Sequence, residues 1–186
     1  YLEEKNIVFE IRHCANSATI FEYPEMHFDM VRAGIVLYGL LPSNMLCTPV
    51  DLKQVMTLKT IIDHIKTVCK DACISYGREY KAEHESRVAT IPIGYADGLW
   101  RSNFQNHMVV EVEGKLAPII GRVCMDQCMI DVSSIPEAIV NSKVVVYGTS
   151  EDVSIDHIAR ANGTINYEIV CAVGERVPRA VSYTHL

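Results

Sequence analysis

From Val55 onward the chain is cut into short runs rich in β-branched residues, and this most limits what it can fold into. The runs lie at residues 55–62, 88–93, 108–112, 117–120, 129–132 and 144–147, divided by glycine, proline or charged turns. Each has the length of a strand and none the length of a core helix. Several such strands at close spacing predict a compact β domain, of which a barrel is one form. Glu113-Gly114, between MVVEV and KLAPII, predicts a hairpin turn, with glycine supplying positive φ. Residues 154–162, SIDHIARAN, predict a capped helix stopped at Gly163, and Thr164 opens another.

The first 50 residues follow a different pattern. Residues 7–11 and 28–33 read as strands, and each runs into a small-residue turn where a helix begins. The first helix is capped by Asn16-Ser17 and stopped by Pro24; the second covers residues 34–40 and ends before Pro42. Strand–helix passages of this kind are parallel α/β structure. The boundary between the two patterns falls between Pro42 and Asp51. A complete eight-stranded α/β barrel takes about 250 residues, more than the 186 present, so the chain reads as a fragment that holds only the end of one.

A chain that is 49% hydrophobic with net charge −6 buries a real core and carries no basic surface for nucleic acid. The longest apolar run, residues 33–41, is too short to span a membrane. Seven cysteines, an odd number set among apolar neighbours, fit reduced thiols and not a disulfide framework. The Cys69/Cys73 and Cys124/Cys128 spacings lack the tighter pairs of zinc sites, so no metal is expected.

Strand-to-helix turns make anion sites, because the first helical N–H groups have no partner within the helix and its dipole favours negative charge. The hydroxyl of Ser17, the bare backbone of Gly34 and the guanidinium of Arg32 suit a phosphorylated cofactor. By residue type alone, Ser17 reads equally as a helix cap and Gly34 as a tight turn. Tyr76, beside Gly77, reads equally as a strand aromatic.

Five blocks decide among these readings. HCANSA, VRAGIVLYG, ISYG, IPIGYADG and GRVCMDQCMIDV, the last followed by TINYE and ERVPR, stand in an order and spacing that resembles alanine racemase over residues 7–179. That family is a fold-type III group of pyridoxal 5'-phosphate (PLP) enzymes. The resemblance implies that residues 1–48 are the end of an incomplete PLP-binding (β/α)8 barrel and residues 49–186 a mainly β C-terminal domain. It implies that Ser17, Gly34, Ile35 and Tyr167 hold the cofactor phosphate. Arg32 would face the pyridine nitrogen, with His13 orienting it. Arginine keeps its proton, so it donates to the ring without protonating it, a weaker electron sink that suits racemisation over transamination.

Racemisation needs proton carriers on both faces of Cα, and the resemblance assigns one to Tyr76 and the other to a Schiff-base lysine. A free tyrosine has a pKa near 10, so positive charge must lower it for work as a base. The resemblance supplies that charge through a histidine outside this chain, backed by Arg32. Met125 would meet the substrate carboxylate through its amide and restrict the side chain accepted. Tyr95, with Arg101 and Arg122, would line the approach to the site.

A head-to-tail homodimer follows from the resemblance, Tyr76 and Met125 serving the partner's site. So do interconversion of L- and D-alanine, supply of D-alanine for peptidoglycan and a cytoplasmic location, with neither nucleic acid nor membrane as partner. No lysine here stands in the family's cofactor-lysine block, so the chain alone is expected to be inactive. The alternatives are a racemase of serine or broader specificity, and a non-catalytic dimerisation domain. Residues 180–186 carry no pattern and read as a cloning scar.

Overall fold

The computed structural model describes residues 1–182 and divides the chain into two units, Tyr1–Met56 and a second beginning at Thr57. In the first, helix α1 (Ser17–Glu22) is capped by Asn16, whose side-chain oxygen accepts the Thr19 N–H at 3.0 Å, and Pro24 follows its end. Before and after it, Arg12 and Ala15 accept the N–H groups of Asp29 and Arg32 at 3.1 and 2.9 Å. The constant offset means that these two segments run parallel.

Neither segment forms a strand, contrary to the expectation for residues 7–11 and 28–33. Two bonds on one side fall short of a ladder, and a barrel strand is paired on both sides. The second expected helix is also shorter, a single 3-10 turn at Ile35–Tyr38. Gly39 ends it with φ 72°, and a Cβ there would lie 1.8 Å from the Lys53 carbonyl oxygen, so only glycine fits.

Among the described residues, the second unit is built on nine strands: β1 (Leu58–Ile61), β2 (His64–Val68), β3 (Cys73–Ile74), β4 (Tyr80–Lys81), β5 (Ser86–Ile91), β6 (Val109–Val112), β7 (Lys115–Ile120), β8 (Cys128–Asp131) and β9 (Lys143–Tyr147). Seven form one antiparallel sheet in the order β1-β9-β6-β7-β8-β5-β2, and β3 pairs with β4. The edge strands β1 and β2 are consecutive in sequence, separated only by Ile62 and Asp63. Three residue steps span at most about 11 Å, so the two edges nearly meet and the sheet is curled. The hydrogen bonds mark the corner: Ile62 N–H donates to Ser142 on the β9 side, and Asp63 N–H to Thr90 on β5. This curled antiparallel sheet is the mainly β domain that the short runs predict.

Register follows the alternation of side chains. On β8, Cys128 and Ile130 point inward and are fully buried while Met129 and Asp131 are half-exposed; Ile130 pairs with Ala89 on β5 and Ile119 on β7. The β6–β7 hairpin turns at Glu113-Gly114 with φ of 50° and 72°, the two positive values of a type I′ turn. Two helices follow the sheet, α2 (Ile155–Ala161), capped by Ser154, and α3 (Asn166–Ala172), packed on each other. No helix among the described residues is long and apolar enough to cross a membrane. Part of the unassigned tail, residues 183–186, lies outside the described residues.

Candidate active site

The second unit carries an open cleft of about 700 Å³ lined by Tyr76, Tyr95, Arg101, Cys124, Met125 and Asp126 among others. Residues expected from three separate sequence blocks therefore meet on one surface, with Arg101 beside them. Tyr76 stands out from it, 71% exposed, between residues held in unusual backbone conformations. Ser75 has φ 65° and Arg78 φ 53°, left-handed values that cost about 1–3 kcal/mol each for residues with a Cβ. Ser75 is fixed there by its hydroxyl, which donates to the Arg122 carbonyl at 2.6 Å. Arg122 in turn pairs through Nη2 with Glu79, which holds the Glu79 carboxyl below its ordinary pKa and raises that of the guanidinium. Its Nε is buried with no hydrogen-bond partner among the described residues.

Tyr95 opens a 3-10 turn, Tyr95–Asp97, that lies against the Cys124–Gln127 loop. Tyr95 N–H donates to the Cys124 carbonyl and Ala96 N–H to the Met125 carbonyl, both at 3.0 Å. Gly94 permits this approach, since a Cβ would sit 2.3 Å from each of those two oxygens. The loop closes on itself through Cys124 N–H to Gln127 carbonyl at 3.0 Å. The Met125 N–H donates to no acceptor among the described residues and remains a donor for a ligand.

Asp97, Asp126 and Arg176 form a group that the sequence blocks contain but give no reason to connect. The Arg176 Nε donates to Asp97 Oδ1 and its Nη2 to Asp126 Oδ1, both at 2.6 Å, while Asp97 Oδ2 accepts the Gly94 N–H at 2.8 Å. Burial raises the Asp97 pKa, but the bonds from Arg176 and Gly94 outweigh it and leave the carboxyl below its ordinary value.

Of the other cofactor-facing residues expected, all but Tyr167 belong to the first unit. In the first unit, Ser17 is buried and its hydroxyl accepts the Gly34 N–H at 3.0 Å. Asn16 does the capping, so the Ser17 hydroxyl hydrogen is left to donate elsewhere. A Cβ on Gly34 would meet only Ser17 Oγ, at 3.6 Å, so its outer face is open. Ile35 and Val36 begin a 3-10 turn, where amides have no preceding carbonyl to bond. A hydroxyl and backbone amides around open space are a donor set that fits a phosphate. Arg32 Nη1 lies 2.6 Å from His13 Nδ1. Guanidinium only donates, so Nδ1 accepts and the ring proton sits on Nε2. Tyr167, in the first turn of α3 in the second unit, is half-buried, which raises its phenol pKa and keeps it a donor. Among the described residues no group of three or more His, Cys, Asp or Glu could hold a metal ion.

Comparison with known proteins places this geometry in a family. The alanine racemase C-terminal domain matches residues 55–181 and the alanine racemase N-terminal domain residues 1–42. Alanine racemase of Desulfovibrio desulfuricans is 51% identical over 96% of this chain, and that of Methanococcus maripaludis 44% identical over the same share. The chain spans about half the length of these relatives, 47% and 48% respectively. Among solved structures, the Clostridium difficile 630 alanine racemase in complex with cycloserine aligns with TM-score 0.87 and 40% identity, covering 95% of this chain and 46% of that one. The Bacillus anthracis enzyme with bound L-Ala-P aligns with TM-score 0.86 and 39% identity over the same shares. Matched along nearly its whole length by both domains, the chain belongs to the alanine racemase family.

Proposed function

We propose that this chain is the C-terminal portion of a PLP-dependent enzyme that interconverts L- and D-alanine by a two-base mechanism. Residues 1–48 complete a PLP-binding barrel, and residues from 49 on form the domain that presents Tyr76 and Met125. The observation that carries this reading is the meeting of Tyr76, Tyr95 and Met125 on one cleft within a chain matched by both family domains. The Bacillus anthracis relative is solved with L-Ala-P bound, which supports alanine as the substrate.

The residues of the first unit fit PLP by their donor chemistry. Ser17, Gly34 and Ile35 hold the phosphate, and the Tyr167 phenol adds a further donor. Arg32, oriented by His13, donates to the ring nitrogen and cannot lose its proton to it. When bound, PLP withdraws electrons from the substrate Cα and makes its hydrogen acidic. Tyr76 takes or returns that proton on one face of Cα. A lysine outside this chain serves the other face, so the chain alone does not racemise. The Met125 amide binds the substrate carboxylate, and its side chain favours a small substituent. Tyr95, Arg101 and Arg122 line the approach.

The exposure of Tyr76 and of Met125, 71% and 53%, supports a head-to-tail homodimer in which these residues serve the partner's site. The product, D-alanine, supplies peptidoglycan synthesis in the cytoplasm. The test is racemisation of L-alanine, D-alanine and L-serine by the full-length protein of the same gene. Alanine conversion in both directions, well ahead of serine, is expected; a preference for serine or no turnover of alanine contradicts the reading.

A further inference from the structure

We propose that Arg176 is a positioning residue for substrate binding, clamping the Tyr95 turn to the Met125 loop so that the Met125 amide stays aimed into the cleft. The proposal rests on the reading of Tyr95 and Met125 as substrate-facing residues. Its geometry is independent of that reading.

Among the described residues, two backbone bonds join the two segments, Tyr95 N–H to Cys124 and Ala96 N–H to Met125. Neither segment is a strand, and the neighbouring β5–β8 ladder stops short of both, at the Ile91–Cys128 pair. Arg176, in the stretch after α3, supplies a third connection, with one nitrogen on Asp97 and another on Asp126. The planar guanidinium fixes the distance between the two carboxylates in a way that a lysine's single ammonium does not. Asp97 is the firm end: its side chain is only 12% exposed and its second oxygen is held by the Gly94 N–H. Asp126 is the adjustable end, 61% exposed and adjacent to Met125. Exposed ion pairs are weak when single and matter when they join a network with good geometry, which is the case here.

The clamp acts on Met125 through the backbone, because restraining Asp126 restrains the peptide next to it. Losing it leaves the fold in place and lets the loop drift. Drift of a binding group by about 1 Å can cost as much as a hundredfold in rate. A milder effect, a rise of about tenfold in alanine KM with kcat little changed, is expected on removal of the clamp.

The experiment uses the full-length holoenzyme and its Arg176→Met, Arg176→Lys and Asp126→Asn variants. Two readouts are taken: hydrogen exchange at the Tyr95 and Ala96 amides, and KM against kcat for alanine. Exchange at those two amides should quicken about tenfold in Arg176→Met while the β5–β8 ladder keeps its protection. Asp126→Asn, which leaves the buried end intact, should raise KM in the parent and add little in the Arg176→Met background. Lysine should restore only part of the effect. Unchanged exchange at Tyr95 and Ala96 overturns the clamp, as does equal loss of protection in β5 and β8, which marks a purely structural residue. Full additivity of the two substitutions also overturns it. A parent that protects both amides but ignores alanine sinks the functional reading and leaves the clamp standing.

Discussion

At the scale of single residues, backbone contacts around the cleft are tight enough to make substitutions predictable. Gly94→Ala drives a Cβ to 2.3 Å from two carbonyl oxygens that belong to backbone and cannot swing away. It should destabilise the protein by about 1–3 kcal/mol, read from the denaturation midpoint, and displace Tyr95 and Met125 together. Asp97 gives a pH dependence. Its folded pKa lies below the ordinary value of about 3.9, so its ion pair with Arg176 stabilises above that pH and is lost as pH falls through the folded value. The gap in stability between the parent and Asp97→Asn should be full above about pH 5 and close below pH ~4. A gap that instead widens on acidification contradicts the assignment. The Arg176 clamp was not legible in the sequence, because its partners lie 79 and 50 residues away and leave no local spacing to read. The Arg32–His13 contact, 19 residues apart, was reachable only through the family pattern.

Among the secondary-structure elements, legibility followed burial. β5, β8 and β9 show apolar residues at inward positions and were readable as strands. β2, HIKTV, is an edge strand with three of its five residues exposed, so it carries no apolar alternation. β3 and β4 are two residues each and exist by pairing with one another. The segments at 7–11 and 28–33 have strand composition but no ladder, which composition cannot reveal. The inward face of β8 yields a prediction about thiols. Burial, with Cys124 nearby, pushes the Cys128 pKa well up, so it stays a protonated, inert thiol. Cys14, Cys47, Cys69 and Cys171 are exposed. Brief alkylation of the native protein followed by mass spectrometry should label some or all of these four and leave Cys128 unmodified until denaturant is added; early labelling of Cys128 would mean that β8 opens locally.

For the whole molecule, the proposal of shared sites makes a prediction that no single chain could meet. Full-length Tyr76→Phe and Arg32→Met proteins should each lose most activity. When they are mixed and allowed to exchange subunits, half the dimers are mixed and one of the two sites in each is intact, so roughly a quarter of parental activity should return. No recovery would mean that each subunit builds its own site. The central claim is that Tyr76 carries a proton on one face of Cα, and its most direct test follows racemisation and Cα deuterium exchange in D2O for the full-length parent and its Tyr76→Phe variant. The predicted result is an active parent and a variant that binds PLP, loses most racemisation, and still exchanges the Cα hydrogen of one enantiomer through the opposite base. A variant that racemises alanine as well as the parent would contradict it.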